Sequence, residues 1–161
     1  MSKELFEKYL RHEEKSGELF WISRPSTKVA CGDKAGTLCA KGYIKIMIKR
    51  KVYRAHRIVW ELCTGSAPVG EIDHINGNKS DNRISNLRDV TSSTNNENRR
   101  STGMANTSGF LGVDFHKANR KWRAKITVGN KSVHIGYFED PKSAHDAYLT
   151  EKRRLHKGCT I

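Results

Sequence analysis

Apolar positions along this chain change their period several times, and each change predicts a new element. Leu5, Phe6, Tyr9 and Leu10 recur at three- and four-residue intervals, which predicts a short amphipathic helix over 3–10, with Gly17 ending the region. Leu19-Phe20-Trp21-Ile22 reads as a strand, and the Gly-, Ser- and Lys-rich stretch 23–42 as a loop. Ile44, Ile46 and Ile48 then alternate. With Lys49-Arg50-Lys51 as a charged turn before Val52-Tyr53, they predict a β-hairpin. Ile58, Val59 and Leu62 return to helical spacing over 56–64, and Gly65 supplies the stop.

Further on, 71–75 is a short strand closed by the turn signal Asn76-Gly77-Asn78. A polar loop leads to a second strand over 86–91, and Thr91 or Ser92 is placed to cap a helix running towards residue 99. The stretch 101–108 is small, polar and rich in breakers, the composition of a linker. Beyond it, 110–115, 121–128 and 132–138 read as three strands, with Gly129-Asn130 as a tight turn between the last two. Pro141 sits where a helix can begin, with Ala144, Ala147, Tyr148 and Leu155 on its apolar side. The expected class is α+β, with one domain over 1–99, a linker over 100–108 and a second domain over 109–158.

Charge adds the first functional constraint. Thirty Lys+Arg against seventeen Asp+Glu leave a net +13, and the excess is split almost evenly between 1–99 and 100–161. Such a balance points to a polyanionic partner, and no helix pairs a clean apolar face with a Lys/Arg face of the kind that lies on lipid. Nucleic acid is therefore the expected partner. No apolar run reaches the length of a membrane span, and residues 1–5 lack the apolar core of a secretory signal, so a cytoplasmic protein is expected. Cys31, Cys39, Cys63 and Cys159 show no C-x-x-C spacing, which argues against a zinc ribbon and for free thiols. No protein partner is evident.

The strand–loop–strand–helix over 71–99 carries the candidate chemistry. Hydrolysis of a phosphodiester needs a base for water and a positive centre for the charge that grows on the phosphate and the leaving oxygen. Antiparallel pairing returns Thr91 to the neighbourhood of Asp73, and the first turn of the next helix brings Asn95 and Asn96 with it. Oxygen ligands from Asp73 and Asn95 suit Mg²⁺, or Mn²⁺ in its place. His74 is adjacent, but strand alternation points it to the other face unless the backbone turns there. Asp73 and the asparagines of 76–82 also have a plain reading as turn formers. A calcium loop fails, because Gly77 stands at position five from Asp73 and Ile84 at position twelve, where a bidentate Glu is required.

The longer pattern is more specific. His56-Arg57-Ile58-Val59-Trp60-Glu61, Asp73-His74-Ile75-Asn76-Gly77-Asn78, Asn82-Arg83-Ile84-Ser85-Asn86-Leu87-Arg88, Val90-Thr91 and Asn95 through Asn98 together resemble the HNH homing endonucleases of phages and mobile elements. This resemblance, over about 43–99, implies a ββα-metal nuclease fold. It implies Asp73 and Asn95 as metal ligands and His74 as the general base. Asn86 becomes the central asparagine that braces the loop. His56 belongs to helix packing or to a phosphate contact.

In the C-terminal part Trp122, Ala124, Ile126 and Val128 alternate with Arg123, Lys125 and Thr127, so one face can pack on a helix while the other stays cationic. A narrow sheet of this kind can enter a major groove. Ser108-Gly109-Phe110-Leu111-Gly112-Val113, Lys121-Trp122-Arg123-Ala124-Lys125-Ile126, Ile135-Gly136-Tyr137-Phe138 and Ala144 with Ala147-Tyr148 resemble the DNA-binding domain of plant APETALA and ethylene-response factors, over about 103–157. The resemblance implies a three-stranded antiparallel sheet packed on one helix. Carried over by position, Asp114, His116, Arg123, Lys125, Thr127 and His134 face DNA. Arg123 and Lys125 lead as contacts, followed by His116, Arg120, Lys121, Thr127 and His134. Leu111 and Asp114 stand where the plant proteins often have Arg, and His134 where Trp is common, so a plant-like target is not implied. The expectation is a homing-type endonuclease that nicks double-stranded DNA. The alternatives are a non-catalytic DNA-binding regulator and a structure-specific or packaging nuclease.

Overall fold

The computed structural model describes residues 2–102, 106–129 and 131–160, so the middle of the linker expected at 100–108 and Asn130 of the Gly129-Asn130 turn lie outside the described residues. The chain is α+β and divides into two compact units, residues 1–91 and 92–161. Among the described residues no helix is long and apolar enough to cross a membrane.

In the first unit α1 (Ser2–Tyr9) leads directly into β1 (Leu10–Glu13), which pairs antiparallel with β2 (Glu18–Trp21). Strand β1 was invisible to periodicity because Leu10 is its one apolar residue, and Gly17 turns a hairpin instead of ending a helical region. At φ +72° Gly17 also lies so close to the 82–83 backbone that a Cβ there would stand 2.2 Å from the Arg83 nitrogen. The 23–42 loop contributes β3 (Thr37–Leu38), which joins β4 (Ile44–Ile48) and β5 (Lys51–Arg54) in one antiparallel sheet. Lys49 and Arg50 both take positive φ, 48° and 65°, which makes a two-residue turn and leaves Lys51 in the strand.

Helix α2 (Ala55–Thr64) follows β5 at once and stops at Gly65, whose left-handed φ of 83° lets its N–H donate to the Glu61 carbonyl. Its Ile58 and Val59 are fully buried, together with Ile46 and Ile48 of β4 and with Phe6, Leu10, Leu19 and Trp21 from the N-terminal elements. Residues 1–42 thus complete the core under α2. Strands β6 (Glu71–His74) and β7 (Leu87–Val90) pair antiparallel, a 3₁₀ turn (Ile84–Asn86) precedes β7, and Ile72 and Leu87 reach the same core.

The second unit begins with α3 (Ser92–Glu97). The end of α3 and the stretch after it are tied to the C-terminal end of the chain: Gly158 N donates to Glu97 Oε2 at 2.9 Å, Lys152 Nζ to the Arg99 carbonyl at 2.6 Å, and Arg100 to the Thr160 hydroxyl at 2.8 Å. Strands β8 (Val113–His116), β9 (Lys121–Val128) and β10 (Lys131–Phe138) form an antiparallel sheet in the order β10-β9-β8. The first strand begins at Val113 instead of Phe110 because Ser108 Oγ and Asn106 Nδ2 donate to the Val113 and Phe110 carbonyls and hold 106–112 in turns. Helix α4 (Pro141–Leu155), capped by the Asp140 carboxylate on the Ser143 N–H, buries Ala144 and Tyr148 against Val113, Ala124 and Ile126.

Gly112, at φ +77°, lies under the Tyr148 ring, where a Cβ would stand 2.1 Å from Cδ2. Gly112→Ala is expected to destabilise the second unit by about 1–3 kcal/mol or more, since strain at positive φ adds to overpacking. The loss is read in chemical denaturation and as faster hydrogen exchange of β8 and β9 amides than of those in α2.

Candidate active site

The register of β6 on β7 sets Asp73 opposite Arg88 and His74 opposite Leu87. Directly opposed residues share a face, so Asp73 and His74 point to opposite sides of the two-stranded sheet. On one side Asp73, 7% exposed, receives Arg88 through its Oδ2, with Nε at 2.9 Å and an Nη at 2.7 Å. On the other side His74, 4% exposed, packs edge-on against His56 of α2 at 5.2 Å between ring centroids and lies 6.0 Å from the Tyr43 ring.

His74 Nε2 lies 3.2 Å from Asn82 Oδ1. A carboxamide oxygen only accepts, so this bond puts the imidazole proton on Nε2 and the basic lone pair on Nδ1. Burial pushes the His74 pKa below its usual value, against the opposing pull of the Asn82 bond and of Asp73 and Asp81. The ring is neutral at neutral pH.

The loop between the strands is held by side chains. Asn86 Oδ1 accepts from the Asn76 N–H at 2.9 Å, and its Nδ2 donates to the Asp81 carbonyl at 2.8 Å, so one carboxamide spans the loop. Asp81 in turn takes Arg83 Nε at 2.8 Å and Asn76 Nδ2 at 2.7 Å. The Arg83 bonds are the largest cause of its carboxyl falling to about 2. Asn76 and Asn78 cap the turn by accepting backbone N–H groups two residues on. The plain turn-forming role therefore holds for Asn76 and Asn78, whereas Asn82 is buried and holds His74.

Asn95 lies on α3, in the second unit. Among the described residues no group of three or more His, Cys, Asp or Glu side chains converges to hold a metal ion.

In the second unit the register places Asp114 opposite Arg123, Lys125 opposite His134 and Thr127 opposite Ser132, all on the face away from Ala124 and Ile126. A bulge between His134 and Gly136 shifts the register by one, so Tyr137 joins the same face opposite Arg123. Its ring lies 4.6 Å from His134 and 5.1 Å from His116. Arg123 pairs with Asp114 at 2.6 Å and Lys125 with the same carboxylate at 3.1 Å. Lys121 pairs with Glu139 at 2.7 Å, and Arg120 sits in the β8–β9 turn at φ 51°.

Sequence reasoning missed Arg88, Asn82 and Tyr137. Arg88 could have been found by writing out the hairpin register. Asn82 was hidden among turn-forming asparagines, and Tyr137 was hidden by the bulge. His56, in the helix, is buried, and its Nδ1 has no hydrogen-bond partner among the described residues.

Residues 53–97 match the sequence profile of the HNH endonucleases. On this match and the one that follows, the chain belongs to the HNH endonuclease family. It is 38% identical over 82 residues to Protein 3.8 of Escherichia phage T7, an alignment covering 50% of this chain and 67% of that protein. No solved structure gives a significant match.

The site carries a pH signature. Burial and the neighbouring His74, Arg57 and Arg54 lower the His56 pKa from 6.5 to about 3. The unfolded chain takes up this proton first, so the stabilisation is whole above pH 6.5 and is lost as the pH falls towards 3. His56→Leu is expected to flatten the stability curve in that window, measured by urea denaturation at stepped pH. An unchanged slope would show that His56 does not titrate with folding.

Proposed function

We propose that this chain is a metal-dependent endonuclease that hydrolyses phosphodiester bonds in double-stranded DNA, acting as a homing-type nicking enzyme. The observation that carries the reading is His74: a neutral imidazole with its proton held on Nε2 by Asn82, on the residue next to Asp73, within the matched family segment. In this reading residues 71–99 are the ββα-metal segment that the family resemblance implies.

His74 takes the proton of the attacking water at Nδ1, the position that the Asn82 bond leaves basic. Asn82 keeps that tautomer through the reaction, and the Asn86 bridge keeps the loop bearing Asn82 from drifting. Asp73 and Asn95 are the proposed metal ligands. The donor chemistry fits a hard cation, since one carboxylate and one amide oxygen are what Mg²⁺ or Mn²⁺ accepts while keeping most of its water. When bound, such an ion stabilises negative charge on the phosphate and the leaving oxygen. Arg88 already binds Asp73 Oδ2, which orients the carboxylate and neutralises its charge in the absence of substrate. A single such site cuts one strand, so the expected product is a nick.

The sheet of the second unit is the proposed DNA anchor, in the manner of the ethylene-response-factor domains it resembles, with Arg123 and Lys125 in front and His116, Arg120, Lys121, Thr127 and His134 around them. The Asp114 carboxylate shared by Arg123 and Lys125 is the feature that tunes it, since it offsets part of their charge.

Incubation of supercoiled plasmid with Mg²⁺ or Mn²⁺ is expected to yield nicked circles, blocked by EDTA. His74→Ala should slow nicking by about 10²–10⁴-fold. Cleavage persisting in that variant would sink the assigned base. For the anchor, Asp114→Asn should tighten duplex binding and steepen its dependence on salt, because two cations are released to meet phosphate. Weaker binding would instead make Asp114 a direct reader of DNA.

A further inference from the structure

A second group of charges lies beside His74, where two cations share one aromatic ring. Tyr43, just ahead of β4, has the Arg54 guanidinium carbon 5.2 Å and the Lys79 ammonium 5.1 Å from its ring centroid. Arg54 ends β5 and Lys79 sits in the β6–β7 loop, so three separate elements deliver this aromatic and its two cations to one place. The same ring meets His56 at 5.3 Å and His74 at 6.0 Å, so the cluster continues the wall of the candidate active site.

The hydrogen bonds of the two cations are to a thiol and to a backbone carbonyl. Arg54 donates to Cys39 Sγ at 3.2 Å, and Lys79 donates to the Lys41 carbonyl at 3.4 Å. Among the described residues neither comes within ion-pair distance of a carboxylate, whereas Arg83, Arg88, Lys121, Arg123, Lys125 and Arg154 all do. Two like charges over one ring repel each other, and a ring quadrupole offsets this only in part. An anion reached by both cations would remove the repulsion and accept charge-assisted hydrogen bonds from each.

The geometry points to a phosphate-binding notch formed by Tyr43, Arg54 and Lys79, which holds a backbone phosphate of the nucleic acid beside the one presented to His74. This assignment rests on the nuclease reading above for its substrate, and it extends that reading to how the strand is registered in the site. Neither cation is replaceable by the sheet of the second unit, because the notch fixes the strand next to the reacting bond. Tyr43 supplies the floor that holds both long side chains in place.

The test is duplex affinity at several salt concentrations, in EDTA so that nothing is cut, with a short blunt DNA duplex as the probe. Arg54→Ala and Lys79→Ala should each weaken binding several-fold at low salt and reduce the magnitude of the log–log salt slope by about 0.9, the value for one phosphate contact. Lys79→Arg should restore most of both. Lys79 is exposed on a loop, so its replacement remains decisive even where Arg54→Ala lowers the melting temperature. Unchanged affinity and slope in Lys79→Ala would overturn the notch. Plasmid nicking by the unaltered protein, run in parallel, separates the two readings. Nicking with an unchanged slope rejects the notch alone, and a reduced slope without nicking supports the notch and rejects the nuclease assignment.

Discussion

The carboxamide of Asn86 accepts the Asn76 N–H with its oxygen and gives its own N–H to the Asp81 carbonyl, 10 and 5 residues back along the chain. These two bonds close the loop between β6 and β7, and the rest of the site depends on that closure. Asn82 is carried by the closed loop, and Asn82 sets the tautomer of His74. Lys79 rides on the same segment and reaches the Tyr43 ring. An asparagine suits the position because it offers a donor and an acceptor from one planar group, whereas a carboxylate would leave the Asp81 carbonyl without a donor. With Asn86 buried, an unmet partner here costs about 1–3 kcal/mol, comparable to a good part of a small unit's stability.

The N-terminal hairpin supports the loop from the other side. Gly17 turns that hairpin against the Asn82–Arg83 backbone at a distance that excludes any side chain. Residues far apart in sequence, with no chemistry of their own, therefore hold the segment that holds His74. Burial of the histidines has a parallel effect. Desolvation lowers the pKa of both imidazoles, His74 at the end of β6 and His56 in α2, so burial favours their neutral forms.

Charge is distributed with a comparable division of roles. On the sheet of the second unit, Arg123 and Lys125 share the Asp114 carboxylate, and Lys121 is paired with Glu139. Next to His74, Arg54 and Lys79 have no such offset among the described residues. The net +13 of the chain says only that a polyanion is expected, while the pairing pattern separates cations offset by a carboxylate from cations that are not.

Much of this was legible in the residue pattern, for identifiable reasons. The helices over 56–64 and beyond Pro141 and the strands of the second unit show clear period, because one face of each is buried and the other is not. Asp73, His74 and Asn86 could be singled out because their spacing follows a linked motif. Strand β1 was not legible, with one apolar residue in four, and neither was the start of β8, where Asn106 and Ser108 divert the backbone into turns. By itself, then, the sequence determined the α+β class and the family, since local periodicity sets the elements and a linked motif carries the family. Only tertiary structure decided that Arg88 meets Asp73, that Asn82 holds His74, that a bulge brings Tyr137 to the basic face, and that Arg54 and Lys79 converge on Tyr43. Each of these joins residues through strand register or loop closure, and such contacts leave no period in the chain to read.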